Sequence, residues 1–458
     1  MCRGDIPRSR RSQAADQQGQ SHYAMSSIST AEAFLVGTGQ PDLDLSTAEL
    51  REILSQALSA VEAGSRVLAI VADKTRDDNT NLLFPLSAQL LADRKIAKLD
   101  ALIAQGTHPP MSEHDKRQKI GASAADSVPG LGQIFDHDWA SPRQLVTIGE
   151  LSASRVREIT GGLIDESIRL NVNRLLAPGV YDTILIFGMT APHEIAGFSG
   201  GAKYFFPGVA GPELTHATHW LGALATIENV IGRVETPPRH LFEGAADFVP
   251  ARVLSLSSVV TRETPARLRT HALFCGDFRI AVRRAADVSR YVHIKYTGRK
   301  YKRVIALLDE HLNDLWVGGK ASYRLGPVIE EGGELIIYAP HLSSISATHG
   351  ALIQRYGYAP LEKIRQLVAQ SRELQQNLCV AAHLAHVSFA GRRLANGEIV
   401  PRYAITLASA VDEATCRKVN LGYMDPRRFR RDDYAGDEDT LIVEQAGRDL
   451  YLVEPLEN

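Results

Sequence analysis

A chain of 458 residues exceeds what one ordinary core supports, so two domains are expected. With 51 basic and 53 acidic side chains the formal net charge is −2, and without a field of one sign a nucleic-acid binder that relies on phosphate contacts is set aside. The longest apolar runs are only of strand length, which leaves no membrane span, and Cys2, Cys275, Cys379 and Cys416 form no CxxC pair, which leaves neither a zinc knuckle nor a disulfide framework. A soluble enzyme of the reducing cytoplasm fits these features.

Residues 1–27, rich in Arg, Gln and Ser, read as a disordered tail; no apolar segment follows Arg10-Arg11 as an export signal requires, and Met25 offers a second start. A helix is expected over Leu45–Val61, with Ser46 as cap and Glu49 three residues on. Arg66–Ala72, Leu99–Ala104 and Asp182–Phe187 are short apolar runs of the kind that form buried parallel strands, separated by helical stretches over Leu82–Arg94 and near Ile164–Leu176. Residues 28–285 therefore read as a cofactor-binding α/β domain, with a boundary between Asp277 and Lys300 where the pattern weakens. A second α/β domain, 286–430, has expected strands at Val304–Leu308, Glu334–Tyr338 and Tyr403–Ala410 and a helix at Leu361–Gln375. Arg427–Arg431 reads as a solvated basic turn, and residues 431–458, with a strand at Thr440–Val443, as a segment returning toward the first domain. The fold class is thus α/β, two domains with mainly parallel sheets and a crevice for cofactor and substrate between them.

In open parallel sheets ligands bind beyond the carboxyl ends of the strands. Asp73-Lys74-Thr75-Arg76, Gly106-Thr107-His108 and Gly188 to His193 occupy those positions, so an acid, an arginine and two histidines converge if the strands are neighbours. The glycine-rich segment Ala196–Gly211 lets backbone amides approach a phosphate or a flat cofactor, or forms a structural Ω-loop; its spacing is neither a Walker loop nor a dinucleotide fingerprint. Pro212 opens a helix on which His216 and His219 stand at i and i+3, as paired metal ligands do, although a core or capping role suits either and no third ligand is near in sequence.

Asp73-x-x-Arg76, Gly106-Thr107-His108 and the block Pro192-His193-x-x-Ala196-Gly197-x-Ser199-Gly200-Gly201-x-Lys203, continuing through Pro207-Gly208 to His219, together resemble the nickel-pincer-nucleotide-dependent lactate racemases and related 2-hydroxy-acid racemases and epimerases. The resemblance covers roughly residues 73–220 and continues more loosely through Asp314-Leu315-Trp316, Lys320 and Gly332-Gly333. It implies a nickel pyridinium-3,5-bisthiocarboxylic acid mononucleotide tethered covalently to Lys203, with His219 as a nickel ligand, Thr75, Ser199, Gly200 and Gly201 as cofactor contacts, and Asp73 either contacting the cofactor or orienting a neighbouring group. His108 and His193 would be the acid and base pair, and Arg76, Lys320 and Trp316 would bind the substrate. The implied chemistry is reversible hydride removal from C2 of a 2-hydroxy acid, which passes through a 2-keto acid and avoids a very weak carbon acid. Cofactor-making enzymes are implied partners, and the second domain would close over the site. His216 receives no role.

Where lactate-type members carry an aromatic residue followed by glutamine ahead of the carboxylate-binding lysine, this chain reads Trp316-Val317. That departure, with Ala339-Pro340-His341, implies a different hydroxy acid: aromatic, dicarboxylic or a sugar acid. His341 reads as a loop residue. Three alternatives follow from the residues alone: a non-catalytic binder of a phosphorylated ligand or cofactor, a zinc hydrolase using His216 and His219, and a nicotinamide dehydrogenase lacking its fingerprint.

Overall fold

The structure, a computed structural model, describes residues 34–122, 128–264 and 267–456, so the expected tail at 1–27 lies outside the described residues. Helix α1 (Thr47–Leu58) begins at the expected cap: Glu49 N donates to Ser46 Oγ at 3.3 Å and Ser46 N to Glu49 Oε2 at 2.8 Å. This capping box satisfies two donors that a helix start would otherwise leave unpaired. Leu50, Ile53, Leu54, Ala57 and Leu58 form its buried face, at the three- and four-residue spacing of one helix side.

Among the described residues seven strands form the first sheet: β1 (Leu35–Gly39), β2 (Arg66–Ala72), β3 (Lys98–Ala104), β4 (Leu131–Phe135), β5 (Thr183–Met189), β6 (Arg252–Thr264) and β7 (Arg267–Gly276). Their spatial order is β1-β7-β6-β5-β2-β3-β4; the run from β6 to β4 is parallel, and β7 and β1 add an antiparallel edge. Val67 to Ala72 are all buried, as expected of a continuous apolar strand covered on both faces. The second sheet is wholly parallel: β8 (Tyr301–Leu308), β9 (Ile329–Ala339), β10 (Ala404–Ser409), β11 (Gly422–Met424) and β12 (Thr440–Ala446), in the order β11-β10-β9-β8-β12. Three further helices bear on the site, α2 (Pro212–Leu224), α3 (Phe278–His293) and α4 (Leu378–Ser388).

Several local expectations change. The helix expected near Ile164–Leu176 is a strand, Ile168–Asn173, followed by a 3-10 turn, Arg174–Leu176. Ile168, Leu170 and Val172 are buried on alternate positions and pair antiparallel with Leu145–Leu151, so period-two burial overrides helical composition. The helix expected over Leu361–Gln375 breaks at Ser371, whose hydroxyl accepts from Leu374 N at 3.2 Å and caps a new turn, Arg372–Gln375.

The interval chosen as a boundary is mostly helix α3. Its Ala281, Ala285, Val288 and Val292 pack on Val259, Ala272 and Phe274 of β6 and β7; alanine supplies much of the apolar stripe, which makes the pattern weak in sequence. The last segment divides: β12 joins the second sheet, whereas Leu450–Leu452 pairs in parallel with Ile294–Tyr296 directly after α3. Arg427, Arg428, Arg430 and Arg431 are exposed, as expected of a solvated turn. Among the described residues no helix is long and apolar enough to cross a membrane.

Candidate active site

The carboxyl ends of β2, β3 and β5 open into one cavity of about 120 Å³, closed from the other half of the chain by Trp316, Lys320, Tyr323 and α4. Asp73 follows β2. Its Oδ1 accepts from Thr75 N at 3.0 Å and from Thr75 Oγ1 at 2.6 Å, while Oδ2 lies 2.5 Å from His108 Nδ1. Burial works to raise the Asp73 pKa, but His108, Thr75 and Arg76 outweigh it and hold the carboxyl well below the usual range. An ionised Asp73 is an acceptor only, so it fixes a proton on Nδ1 of His108 and leaves Nε2 as the ring atom for a substrate. His108 is carried after β3 by a turn in which Gly106, at φ +55°, takes the left-handed conformation and donates to Gly208 O at 2.9 Å. The β2 and β3 loops are thus joined through one carboxylate.

His193 follows β5 in a two-residue pairing, Pro192–His193 with Gly197–Phe198, and is buried. Its Nδ1 accepts from Ile195 N at 3.1 Å, and Nε2 lies 3.4 Å from Arg76 Nη2. Burial first, then the charges of Lys203, Arg76, Arg324 and Lys320, depress its pKa far below the ordinary histidine value, so the ring is neutral. Glu194, beside it, was not singled out from sequence. Its carboxylate lies 3.5 Å from His193 Nδ1, and a backbone hydrogen bond with Arg76, Lys320 and Arg324 keeps it ionised against the cost of burial.

A 3-10 turn, Gly201–Tyr204, brings Lys203 to the cavity. Burial, reinforced by Arg76, lowers its amine to about 7. Ser199 also lines the cavity, its hydroxyl donating to Met189 O at 2.8 Å and accepting from Ala191 N at 3.0 Å. Gly200 and Gly201 do not line it. A Cβ on Gly200 would come within 2.8 Å of Thr190 Oγ1, and one on Gly201 within 3.0 Å of Phe278 O, so close packing of protein against protein accounts for both glycines. Thr75 likewise turns from this cavity and serves Asp73.

His219 and His216 diverge. His219 lines the cavity from α2, with Nδ1 2.8 Å from Thr215 O one turn back, which places a proton on Nδ1 and leaves Nε2 free. Burial is the main cause that depresses its pKa to about 3. His216 instead packs edge-on against Trp139, with centroids 5.6 Å apart, and its Nδ1 accepts from Cys379 N at 3.4 Å. Among the described residues no group of three or more His, Cys, Asp or Glu is placed to hold a metal ion, so a zinc site built from protein ligands alone is not formed around this pair.

From the second half, the Trp316 ring packs at a tilt against two imidazoles, with centroids 4.2 Å from His383 and 4.4 Å from His349. Lys320 is lowered to about 7 by burial, then by Arg76 and Arg324. His383 and His386 of α4 line the cavity and were missed, although His383-x-x-His386 repeats the spacing noted at 216 and 219. His341 lies outside it, with Nε2 3.2 Å from Leu312 O.

The two lowered lysines predict a pH dependence of stability. The unfolded chain holds these protons to about 10.5, whereas the native protein releases them near 7, so the unfolded state binds more protons between those values. The stabilisation is complete above the unfolded value and is lost as pH falls through about 7. The melting temperature of cofactor-free protein should rise between pH 7 and pH 9, on the order of two pH units of this linkage, with a shallower slope in Lys320→Met. A flat curve, or equal slopes in the two proteins, would contradict the assignment.

Residues 45–231 match the family model described as the lactate racemase N-terminal domain. A crystal structure of a Thermotoga maritima protein is 31% identical, with a TM-score of 0.81, covering 89% of this chain and 99% of the other. Residues 45–231 thus form a domain of the lactate racemase N-terminal kind. Curated lactate racemases align with it in part. That of Thermoanaerobacterium thermosaccharolyticum is 26% identical over 180 residues, 39% of this chain and 38% of the relative. That of Lactiplantibacillus plantarum is 25% identical over 167 residues, 36% and 35% of the respective chains. The structure of the lactate racemase apoprotein from T. thermosaccharolyticum superimposes with a TM-score of 0.66 at 16% identity over 92% of this chain and 95% of the other, a likeness of fold. The family's N-terminal domain therefore contains the Asp73, His108, His193, Lys203 and His219 positions, while Trp316 and Lys320 lie beyond it.

Proposed function

We propose that the protein is a racemase or C2-epimerase of a 2-hydroxy acid, in which His108 and His193 handle the hydroxyl proton. The observation that carries this reading is the meeting, in one cavity, of the Asp73–His108 pair, a neutral His193, the Lys203 amine and the free Nε2 of His219.

The residues present fit a nickel-pincer pyridinium nucleotide. An amine lowered to about 7 is half deprotonated at neutral pH and so competent to hold an acyl arm covalently, and His219 keeps an unprotonated Nε2 oriented by the Thr215 carbonyl. Lys203 would tether the group and His219 would ligate its metal; a metal that brings most of its own ligands needs only one imidazole from the protein. When bound, such a group supplies a reversible hydride acceptor for the C2 hydrogen, chemistry that no side chain offers.

The chain supplies the rest. His108 Nε2 takes the hydroxyl proton, and Asp73 stabilises the imidazolium that results. Nδ1 of His193 accepts from the Ile195 N–H, so the neutral ring carries its proton on Nε2 and offers it as a hydrogen bond to the substrate oxygen. Arg76 forks onto the carboxylate in parallel bonds, and Lys320, poised near 7, regains its proton when the anion arrives. Trp316 in place beside Lys320 excludes water from that end of the cavity. The enzyme works in the cytoplasm, loaded by cofactor-making enzymes.

Protein made together with those enzymes, and shown by mass spectrometry to carry an adduct on Lys203, should erode the optical purity of an enantiopure 2-hydroxy acid measured by chiral chromatography. His108→Ala and His193→Ala should each lower kcat by roughly 10²–10⁴. A loaded protein that leaves every 2-hydroxy acid optically pure would overturn the reading, and turnover insensitive to both histidines would overturn their roles.

A further inference from the structure

A second cavity, of about 210 Å³, adjoins the first and shares Arg76, His193, Ser199 and Lys320 with it as a common wall. Beyond that wall it is lined by β6 on one side and by the segment around Val443 to Tyr451 on the other. Its volume has room for on the order of ten water-sized groups. None of the residues singled out for the cofactor lies beyond the shared wall except Thr75, whose hydroxyl is committed to Asp73.

Most charges on this lining are already answered. Arg262 forks onto Asp77, Arg448 Nε lies 2.9 Å from Asp309, and Glu444 pairs with Arg431 at 2.6 Å. Arg324 is the exception. It is 5% exposed, Nη2 donates to Pro192 O at 3.0 Å and Nη1 to Arg448 O, and its Nε–H has no acceptor. Glu194 and Asp449 send their fields to this guanidinium, but among the described residues no carboxylate forms an ion pair with it. A buried cation hydrogen-bonded only to carbonyls, with one donor unmet, is costly unless an anion completes it. Arg76 and Lys320, the proposed carboxylate grip, stand in the same cavity, so a substrate held by its first carboxylate at the shared wall can extend its far end toward Arg324.

We propose that this second cavity is an anion subsite in which Arg324 binds the distal carboxylate of a dicarboxylic 2-hydroxy acid. The inference rests on the racemase reading and names the substrate class for that site. A single negative charge suits the lining better than a phosphate dianion, because Asp77, Glu444 and Asp449 are each paired with a cation and Arg324 is left as one charge to answer beyond the shared wall. A neutral polyhydroxy chain would find hydrogen-bond partners there but would leave the Arg324 charge unanswered.

Loaded enzyme should be compared on chain-matched pairs, 2-hydroxybutanedioate against 2-hydroxybutyrate and 2-hydroxypentanedioate against 2-hydroxyvalerate. The expected result is a kcat/KM at least about tenfold higher for the diacid of one pair, that ratio falling toward one in Arg324→Gln through KM and recovering in part in Arg324→Lys. In cofactor-free wild-type protein the preferred diacid should raise the melting temperature more than its monoacid partner, a readout that needs neither turnover nor a folded variant. Equal handling of diacid and monoacid in both assays, or a clear preference for a polyhydroxy acid, overturns the subsite. A diacid-specific thermal shift with no racemisation of any acid by loaded enzyme would uphold the subsite and sink the racemase reading instead.

Discussion

Lys203→Met is expected to yield a protein with no covalently held cofactor and no racemase turnover that nevertheless unfolds at a higher temperature than its parent. The amine is buried beside Arg76 and lowered to about 7, so at neutral pH the cofactor-free protein carries a desolvated group that is half charged and has a cation for a neighbour. Methionine has similar length and no polar atom, and removing the amine should stabilise that form by about 1–3 kcal/mol. Intact mass after co-production with the cofactor-making enzymes, and thermal unfolding of the cofactor-free pair at pH 7, check the two halves. An adduct on the variant would move the tether elsewhere, and a lower melting temperature would mean that the amine is satisfied in the native protein. A site that spends stability to keep an amine reactive is a common mark of function.

The second large effect is expected at Asp73→Asn, with kcat reduced by roughly 10³–10⁴ and the fold intact. Asp73 is the group through which the β2 loop holds the β3 loop, and its ionised Oδ2 specifies Nδ1–H on His108. An asparagine can turn its NH₂ to that nitrogen, which moves the ring proton to Nε2 and removes the lone pair that would take the substrate proton. KM should change little, because Arg76 and Lys320 are untouched. Steady-state kinetics decide this, together with a melting curve to confirm folding. A loss confined to KM would place Asp73 in substrate or cofactor binding instead of orientation.

Much of this arrangement was legible before any coordinates. Arg66–Ala72, Leu99–Ala104 and Asp182–Phe187 are apolar runs of strand length bounded by polar or glycine-bearing loops, and the rule that ligands collect at strand ends points to the loops bearing Asp73, His108 and His193, which line one cavity. Ile168–Asn173 reads as helix because its alternation is brief and flanked by helix formers, and α3 leaves a weak pattern because alanine carries much of its buried stripe. Glu194, His383 and Arg324 had no local signal strong enough to raise them. Each matters only because chain segments far apart in sequence bring it beside Arg76, Trp316 or the carbonyl of Pro192. His216 and His219 illustrate the converse, since equal spacing on one helix told nothing of which ring would meet a partner element.

The short parallel ladder of Leu450–Leu452 on Ile294–Tyr296 fastens the polypeptide at the crossing point from the first sheet to the second. The stretch between β12 and this ladder supplies Arg448 and Asp449, which border the second cavity, so the same few peptide groups that rivet the crossing also frame the doorway beside Arg324. Separating the halves at that side would have to unzip the ladder and strip Arg324 of its carbonyl partner together. At the first cavity, by contrast, Trp316, His383 and His386 face the ends of β2 and β3 across open space that a bound molecule can fill.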